Sequence, residues 1–283
     1  MRGRASDIWK SLRRDRGAVI GMVLVLLVLG MAVCAPLAPY GPKETDLDAV
    51  EEHPLAPSDK YPLGSDAEGF DVFSRLLYGA RASLLTGLAA IALALLIGVP
   101  FGAISGYAGG RVDGLFMRAV DVMLAFPSVV LAIAIATPFQ IRNLTPIIVA
   151  VGVVYGPTIA RQVRASVLQV KTQDYVLAAR AMGFSPLRIL FRQVLPNCLA
   201  PVIVIATLGV GWAILTAAGL SFLGLGPPED EAEWGVMLQA GFKFIDSNKQ
   251  WILVPPGAAI AITVLGFNLL GDGLRKALDP RAR

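Results

Sequence analysis

Long uncharged stretches alternate with short charged segments along the chain. Six stretches of at least 18 residues contain no Asp, Glu, Lys or Arg, and their lengths are 26, 29, 20, 18, 36 and 22 residues. In chain order they are Gly17–Pro42, Ala82–Gly110, Val122–Ile141, Asn143–Ala160, Gln193–Pro228 and Gln250–Gly271. A helix that crosses a bilayer needs about 20 apolar residues, so each stretch predicts one crossing. The pattern therefore predicts an all-α membrane protein with six transmembrane helices.

The longest stretch has room for two very short helices, but its far end is crowded with helix-breaking residues. These are Gly224, Gly226, Pro227 and Pro228. We therefore expect one helix followed by a loop.

The overall composition agrees with a membrane protein. Of the 283 residues, 55% are hydrophobic and only 16% are charged, whereas soluble domains average about 45–50% and about 25%. The two cysteines, Cys34 and Cys198, fall near opposite membrane faces in the predicted topology. No disulfide between them is expected, because a disulfide joins residues within about 7 Å.

The basic residues indicate which side of the membrane each loop occupies. With a cytoplasmic N-terminus, 18 of the 25 Lys and Arg residues lie in cytoplasmic segments and 14 of the 21 Asp and Glu residues lie outside. Lys and Arg accumulate in cytoplasmic loops, so both termini are predicted in the cytoplasm. This arrangement favours a cytoplasmic rim over a nucleic-acid patch. A cleaved signal peptide is disfavoured because the apolar run 18–35 is longer than such peptides use.

These assignments divide the chain into four parts. Residues 1–16 form a cytoplasmic tail with an interfacial helix carrying Ile8, Trp9 and Leu12. Residues 17–80 hold the first transmembrane helix and an extracytoplasmic segment, in which we expect one or two short helices over the mouth of the bundle. Residues 81–271 form a five-helix transmembrane domain with a cytoplasmic loop at 161–196. Residues 272–283 form a second cytoplasmic tail.

Several residues within the spans predict local structure. Gly98, Gly102 and Gly106 share one helical face and favour close helix packing. Kinks are expected at Pro127 and at 156–157, the Gly-Pro pair. Arg118 and Asp121, three residues apart on a helix, have the spacing of an ion pair.

The largest cytoplasmic loop has the sequence of two short helices with a sharp bend between them. Strong helix formers fill Tyr175–Met182, and Gly183 stands where a left-handed residue would end that helix. Ser185 and Pro186 then suit the N-cap and the first turn of a second helix. That helix is expected at 187–195, ended by a proline at 196.

Two faces of this loop are predicted from helical spacing. Four apolar residues of the second helix share one face: Leu187, Leu190, Phe191 and Val194. Three small residues give the first helix a smooth surface that suits a partner's groove: Ala178, Ala179 and Ala181. A plain helical hairpin between two spans is the alternative.

The same loop resembles a known family. Residues 175–197 read YVLAARAMGFSPLRILFRQVLPN. This is similar to the conserved cytoplasmic loop of binding-protein-dependent ABC importer permeases, with a Leu at position 177 where the motif has Glu. Other matching segments are LGSDAEGFDVFSRLLYGARASLLTG at 63–87, GYAGGRVDGLFMRAVDVMLAFP at 106–127, GLSFLGLG at 219–226 and NLLGDGLRKALDPR at 268–281. Phe70 and Lys276 depart from the usual Arg and Asp.

Together these segments resemble the second permease subunit of dipeptide, oligopeptide and nickel importers. The resemblance implies a type I importer (MetI-like) core in a bacterial inner membrane, a second homologous permease subunit, two ABC ATPase subunits that use ATP and Mg²⁺, and an extracytoplasmic solute-binding protein. It implies no cofactor on this chain. It also implies that the ATPase is contacted by Tyr175, Ala178, Ala179, Arg180, Gly183, Ser185 and Pro186.

Two other functions were weighed against this one. An enzyme is disfavoured because His53 is the only histidine and no GxSxG or HExxH motif occurs; His53 is interpreted as a solvated loop residue. A secondary transporter usually carries charged residues near the bilayer midplane, and the six uncharged stretches argue against it. No phosphate-binding GxxxxGK[ST] loop is present, so an importer would need a separate ATPase. Peptides are the favoured solute, with nickel or another small solute as the alternative.

Overall fold

The computed structural model describes residues 9–45 and 54–278. The predictions for Ile8 and His53 fall outside these ranges. Residues 9–14 are helical, and the named helices are α1 Arg16–Cys34, α2 Val72–Ala108, α3 Gly110–Ala125, α4 Ser128–Ala136, α5 Thr145–Val170, α6 Asp174–Ala181, α7 Pro186–Ile189, α8 Leu195–Leu220, α9 Trp234–Phe242 and α10 Gln250–Leu278. A 3₁₀ turn at Ala35–Leu37 extends α1, and π turns follow α7 (Leu190–Val194) and α8 (Ser221–Leu225).

The predicted all-α membrane fold with six crossings is confirmed. Among the described residues, five helical segments are long and apolar enough to cross a membrane. The sixth crossing is a broken one, because α3 and α4 together pass the same test but meet at an angle of 94°. Pro127, the predicted kink, lies at this break and has extended backbone angles.

Helix α2 begins ten residues earlier than the uncharged stretch suggested. It starts at Val72, where the Asp71 carboxylate caps it by accepting a hydrogen bond from the Ser74 N–H at 2.8 Å. The charges of Arg81 and Arg75 misplaced the predicted boundary, since both arginines lie inside the helix, and Arg75 is buried there. The described parts of the outer segment, 38–45 and 54–71, form turns and two isolated bridges and contain none of the expected short helices. The part of that prediction that concerns 46–53 lies outside the described residues.

Helices α2 and α5 pack closely against each other through the predicted glycine face. A methyl group on Gly98 would come to 2.6 Å from the carbonyl oxygen of Gly156, and one on Gly106 to 3.0 Å from that of Arg164. A methyl group on Gly102 would overlap the Ala160 carbonyl. Only glycine permits this approach, so the prediction of a packing face is confirmed.

Helices α1 and α10 pack side by side, and the start of α1 lies beside the end of α10. Gly21 lies against the backbone of α10 at Gly266 and Leu270. At the ends of the two helices, Lys276 Nζ donates to Asp15 Oδ2 at 2.7 Å. The lysine that departs from the family pattern therefore pairs with the residue that caps α1.

Three smaller expectations have different outcomes. Helix α5 continues through Pro157 without a break, so the kink expected there does not interrupt it. Asp121 pairs with Arg161 of α5 at 2.6 Å instead of with Arg118, because α3 lies alongside α5. The two cysteines are unbonded, as expected.

Candidate functional site: the cytoplasmic loop

The loop that projects between α5 and α8 is shorter than the predicted 161–196. Helix α5 continues to Val170, and residues 186–225 form one helical span of 40 residues that includes α7 and α8. Only residues 171–185 therefore connect the two long helices. They carry α6 and the turn that reverses the chain.

Helix α6 ends in a Schellman motif, as the position of Gly183 predicted. Gly183 has φ +79°, and its N–H donates to the Arg180 carbonyl at 3.0 Å. The Phe184 N–H donates to the Ala179 carbonyl at 3.2 Å. The bond from Phe184 is the six-to-one bond of this motif and the bond from Gly183 is the five-to-two bond. Together they satisfy two backbone carbonyls at the end of the helix. No atom lies near Gly183 on the side where a side chain would be, so its role is backbone conformation.

The next helix starts as predicted. Ser185 is its N-cap, with Oγ accepting from the Arg188 N–H at 3.4 Å, and Pro186 occupies the first turn. The Arg188 guanidinium lies 4.4 Å from the centroid of the Phe184 ring, a cation–π contact across the turn. The bend between α6 and α7 is therefore held by backbone, cap and side-chain contacts.

The predicted end of this helix at Pro196 is wrong. The chain passes through a π turn at Leu190–Val194 and continues into α8. The Leu195 N–H donates to the Leu190 carbonyl, five residues back. A proline clashes with the carbonyl four residues before it in a regular α-helix, and the wider turn removes that conflict.

The predicted apolar face of the second helix is divided in two. Leu190 and Val194 are buried against the bundle, whereas Leu187 and Phe191 are 68% and 63% exposed. Helix α6 is divided in the same way: Ala178 is exposed, but Ala179 is only 1% exposed. The small residues therefore do not form one smooth surface, because Ala179 faces its own chain.

What remains exposed is a mixed apolar and basic surface, which we call the docking surface. Its apolar members are Tyr175, Leu177, Met182, Leu187 and Phe191. The exposed cations beside them are Arg180, Arg188 and Arg192. An exposed apolar patch with polar residues at its edge is typical of a protein–protein contact. The cations favour a partner with acidic groups around an apolar groove.

The loop that carries the docking surface is attached to the bundle by buried side chains on its other face. Val176, Ala179 and Ile189 belong to a buried cluster that includes residues of α5 and the start of α8. Lys171 Nζ donates to the Gly106 carbonyl at 2.7 Å, which ties the loop to the end of α2. A displacement of α6 would therefore be passed to α2, α5 and α8.

An ion pair on the same side joins α3 to α5. The guanidinium of Arg164 donates to both carboxylate oxygens of Asp113, at 2.6 and 2.7 Å. Ser105, near the end of α2, donates to Asp113 Oδ1 at 2.5 Å. Bidentate pairs of this kind fix orientation as well as distance, so three helices are held together at this end.

A buried polar cluster at the opposite end was missed by the sequence analysis. Arg75, 2% exposed, pairs with Asp66 at 2.8 Å and donates to the carbonyl of Glu231 at 3.0 Å. It also donates to the carbonyl of Glu229. Its guanidinium carbon lies 4.4 Å from the centroid of the Phe70 ring. Phe70, the other departure from the family pattern, therefore packs on the central cation of this cluster.

Two acidic residues complete the outer cluster. Glu233 is buried and caps α9, with Oε2 accepting from the Val236 N–H at 3.0 Å and Oε1 from Ser83 Oγ at 3.2 Å. The neighbouring Trp234 is also buried, and its indole N–H donates to the Leu76 carbonyl at 3.0 Å. Burial, followed by the negative charges of Asp66 and Glu229, raises the pKa of Glu68. These contacts join segments about 150 residues apart, which no local sequence pattern indicates.

Comparison with known proteins agrees with this architecture. The family model described as binding-protein-dependent transport system inner membrane component matches residues 98–283. A second model, the N-terminal TM domain of oligopeptide transport permease C, matches residues 3–57. The chain resembles the methionine transporter MetNI in its inward-facing form, with TM-score 0.61 and 20% identity, over 72% of this chain and 96% of that one.

Full-length relatives are also similar. The dipeptide transport system permease protein DppC of Alkalihalophilus pseudofirmus is 41% identical over 281 residues, covering 98% of this chain and 90% of the relative. The oligopeptide transport system permease protein OppC of Bacillus subtilis is 39% identical over 282 residues, covering 98% and 91%.

The helical spans and the likeness to MetNI define the fold, an all-α membrane protein with a MetI-like core. The chain belongs to the family of binding-protein-dependent transport system inner membrane components. The resemblance drawn from the sequence motifs is thereby confirmed.

Proposed function

We propose that this chain is the transmembrane permease subunit of an ATP-driven importer that moves peptides delivered by an extracytoplasmic solute-binding protein. Peptides are chosen because the full-length relatives are named as dipeptide and oligopeptide permeases. Its partners are a second homologous permease subunit and two ABC ATPase subunits. ATP and Mg²⁺ are used by those ATPases.

The docking surface is the observation that carries the proposal. Leu187 and Phe191 are exposed on one side of the segment formed by α7 and the π turn, whereas Leu190 and Val194 on its other side are buried. Apolar side chains outside the lipid region are stable in contact with another protein. An ATPase groove that takes in α6 and the start of α7 would cover them, in the manner of a helix bound in a groove. Tyr175, Ala178, Arg180, Gly183, Ser185 and Pro186 would lie at or beside this contact, and Ala179 would support it from inside.

The orientation follows from the charges. The start of α1 lies beside the end of α10, as the Asp15–Lys276 pair indicates, and the basic excess of the segments that continue from them favours the cytoplasm of a bacterial inner membrane. The docking surface, on the same side in the predicted topology, would then meet cytoplasmic ATPases.

ATP would act by changing the relative stability of two arrangements of the bundle. Closure of the two ATPases on ATP would displace α6, and its buried contacts would pass that displacement to α5 and α8. Import requires that ATP, the loaded receptor and the solute favour different arrangements.

Reconstitution tests the proposal. The two permeases, the ATPases and the solute-binding protein are placed in lipid vesicles, and uptake of a labelled dipeptide is measured. We expect uptake that needs ATP hydrolysis and the solute-binding protein, and that unlabelled peptides reduce by competition. Uptake driven by an ion gradient without ATP would contradict the importer assignment. Uptake of nickel without uptake of peptide would contradict the solute assignment.

A further inference from the structure

The third span is broken within its uncharged stretch, 122–141. Phe126 and Pro127, between α3 and α4, have extended backbone angles, with ψ of 142° and 126°. The first turn of α4 has no side-chain cap. The ends of helices leave backbone N–H and C=O groups without intrahelical partners. This break therefore places polar backbone within an apolar span.

The break lies on the surface of the chain. Phe126 is 54% exposed, and Ser128 is also exposed. Irregular backbone is not found against lipid tails, and at membrane depth it occurs where protein buries it or where it lines a water-filled cavity. The side of the bundle that carries the break consequently faces away from lipid.

A cavity of about 340 Å³ opens beside the break. Its walls come from α3, the start of α4, α5 and α8, and its lining residues are Met123, Leu124, Phe126, Ser128, Val154, Tyr155, Thr158 and Trp212. Tyr155 and Thr158 lie near the middle of the 26-residue helix α5. The cavity therefore lies among the uncharged parts of these spans, and Met123 and Thr158 are two and three residues from the charged pair Asp121–Arg161 at the inner end. Broken helices form solute sites within the membrane in other transporters.

Aromatic rings form one wall of this cavity. The rings of Tyr155 and Trp212 stack with centroids 4.8 Å apart. Gly209 makes room for them, since a methyl group there would come to 2.6 Å from the Tyr155 ring. The polar atoms of the lining are hydroxyls and an indole N–H, without a formal charge. Such a lining suits the amide groups and apolar side chains of a small peptide. It carries no charge that would retain the charged ends of the peptide during transport.

We propose that this cavity is a part of the solute passage, filled with water and in contact with the solute as it crosses. The lining named above would be this chain's contribution to the passage. The identity of the solute as a small peptide rests on the proposed function, whereas the water-filled cavity does not.

Cysteine labelling tests the proposal in the assembled complex. The natural cysteines are removed as Cys34→Ser and Cys198→Ala, and single cysteines are introduced as Thr158→Cys and Ser128→Cys. Matched controls at membrane depth are Leu26→Cys and Leu96→Cys, both at exposed positions of long helices. A charged, water-soluble methanethiosulfonate reagent is applied to inside-out membrane vesicles.

We expect the two cavity cysteines to react at least about tenfold faster than the controls, because the reagent needs a thiolate, which forms where water reaches the sulfur. The modified Thr158→Cys complex should also lose ATP-driven uptake, whereas the modified controls keep it. Cavity cysteines that react no faster than the controls would overturn the proposal. Modification at both cavity positions with uptake intact would overturn it as well.

The two proposals fail in different ways. If the solute is not a peptide, the unmodified complex takes up no peptide, but the difference in labelling rate between cavity and control positions remains. If the cavity is not part of the passage, peptide uptake is normal and the difference in labelling rate is absent.

Discussion

The outer and inner ends of the bundle differ in which side chains they bury: charged side chains are buried at the outer end, and large apolar side chains are exposed at the inner end. At the outer end, Arg75 and Glu233 are buried and bonded within the chain. At the inner end, Leu187 and Phe191 are exposed although they are large and apolar. The buried charges of the outer cluster are thus satisfied within this chain, whereas the docking surface at the inner end is one that a further protein would cover.

This difference shows where the chain's interactions are satisfied. The charged groups of Asp66 and Arg75 meet each other and the carbonyls of the 229–231 segment, so the outer loops are fixed on the bundle. The cations of the docking surface, in contrast, point outward. Substitutions at the outer end should therefore affect folding, and substitutions of exposed residues at the inner end should affect association.

The largest effect is expected from Arg75→Met. The change leaves the Asp66 carboxylate buried without its cation, and loss of one partner of a buried pair costs about 3–5 kcal/mol. We expect little folded protein in detergent, measured by size-exclusion chromatography and thermal unfolding. Lys43→Met is the control, because Lys43 pairs with Asp230 and Glu231 on the exposed surface. Equal melting temperatures for both variants and the wild type would remove the distinction between the two ends.

The neighbouring alanines of α6 provide a matched pair at the inner end. Ala179→Asp places a charge in the buried cluster and should destabilise the fold by about 3 kcal/mol or more. Ala178→Asp places the same charge on the exposed side, so the permease should fold normally but lose ATPase affinity, by about 30-fold if this is a central contact. Thermal unfolding and co-purification with the ATPase measure the two effects. A folded Ala179→Asp variant, or an Ala178→Asp variant that binds normally, would contradict the assigned faces.

Substitutions in the Asp113–Arg164 pair are expected to have an intermediate effect on stability. It is partly buried and bidentate, and a charged hydrogen bond of this kind contributes about 1.5–3 kcal/mol. Asp113→Asn and Arg164→Gln should each lower the melting temperature, and a double-mutant cycle should show positive coupling between them. Strictly additive effects of the two substitutions would show that the pair does not hold α3 to α5.

The smallest effect is expected from Glu68→Gln. One carboxylate oxygen of Glu68 has no hydrogen-bond partner among the described residues, and burial raises its pKa. A raised carboxylate pKa means that ionisation penalises the folded state, so stability falls as the pH rises from the pKa of the unfolded state to that of the folded state. The variant should melt about 1–2 °C above the wild type at pH 8 and equally at pH 4, where both are neutral. Asp59→Asn, in the same outer segment but exposed, is the control; a difference independent of pH would refute this explanation.

Features set by periodicity or by local chemistry could be predicted from the sequence. The three glycines of α2 pack against α5 as their four-residue spacing indicated, and Gly183 ends α6 because its sequence position suits a left-handed residue. Ser185 caps the next helix for the same local reason. These features depend on residues within one or two turns of each other.

Features that depend on distant contacts could not be predicted. Arg75 was placed outside the span because charge usually marks a boundary, and two of its partners, the carbonyls of Glu229 and Glu231, lie about 150 residues further on. Pro196 was expected to end a helix, but the π turn before it removes the clash between the proline ring and the preceding carbonyl, so the helix continues. The exposure of Leu187 beside the buried Ile189 follows from how the loop lies on α5, which spacing alone does not define.

Site-specific photo-crosslinking within the complete importer tests the central claim most directly. A photoreactive residue is introduced at Leu187, on the docking surface, or at Pro62, which is exposed at the outer end. The account predicts an adduct with the ATPase from position 187 and none from position 62. An ATPase adduct from position 62, or none from 187 in a complex that transports, would contradict it.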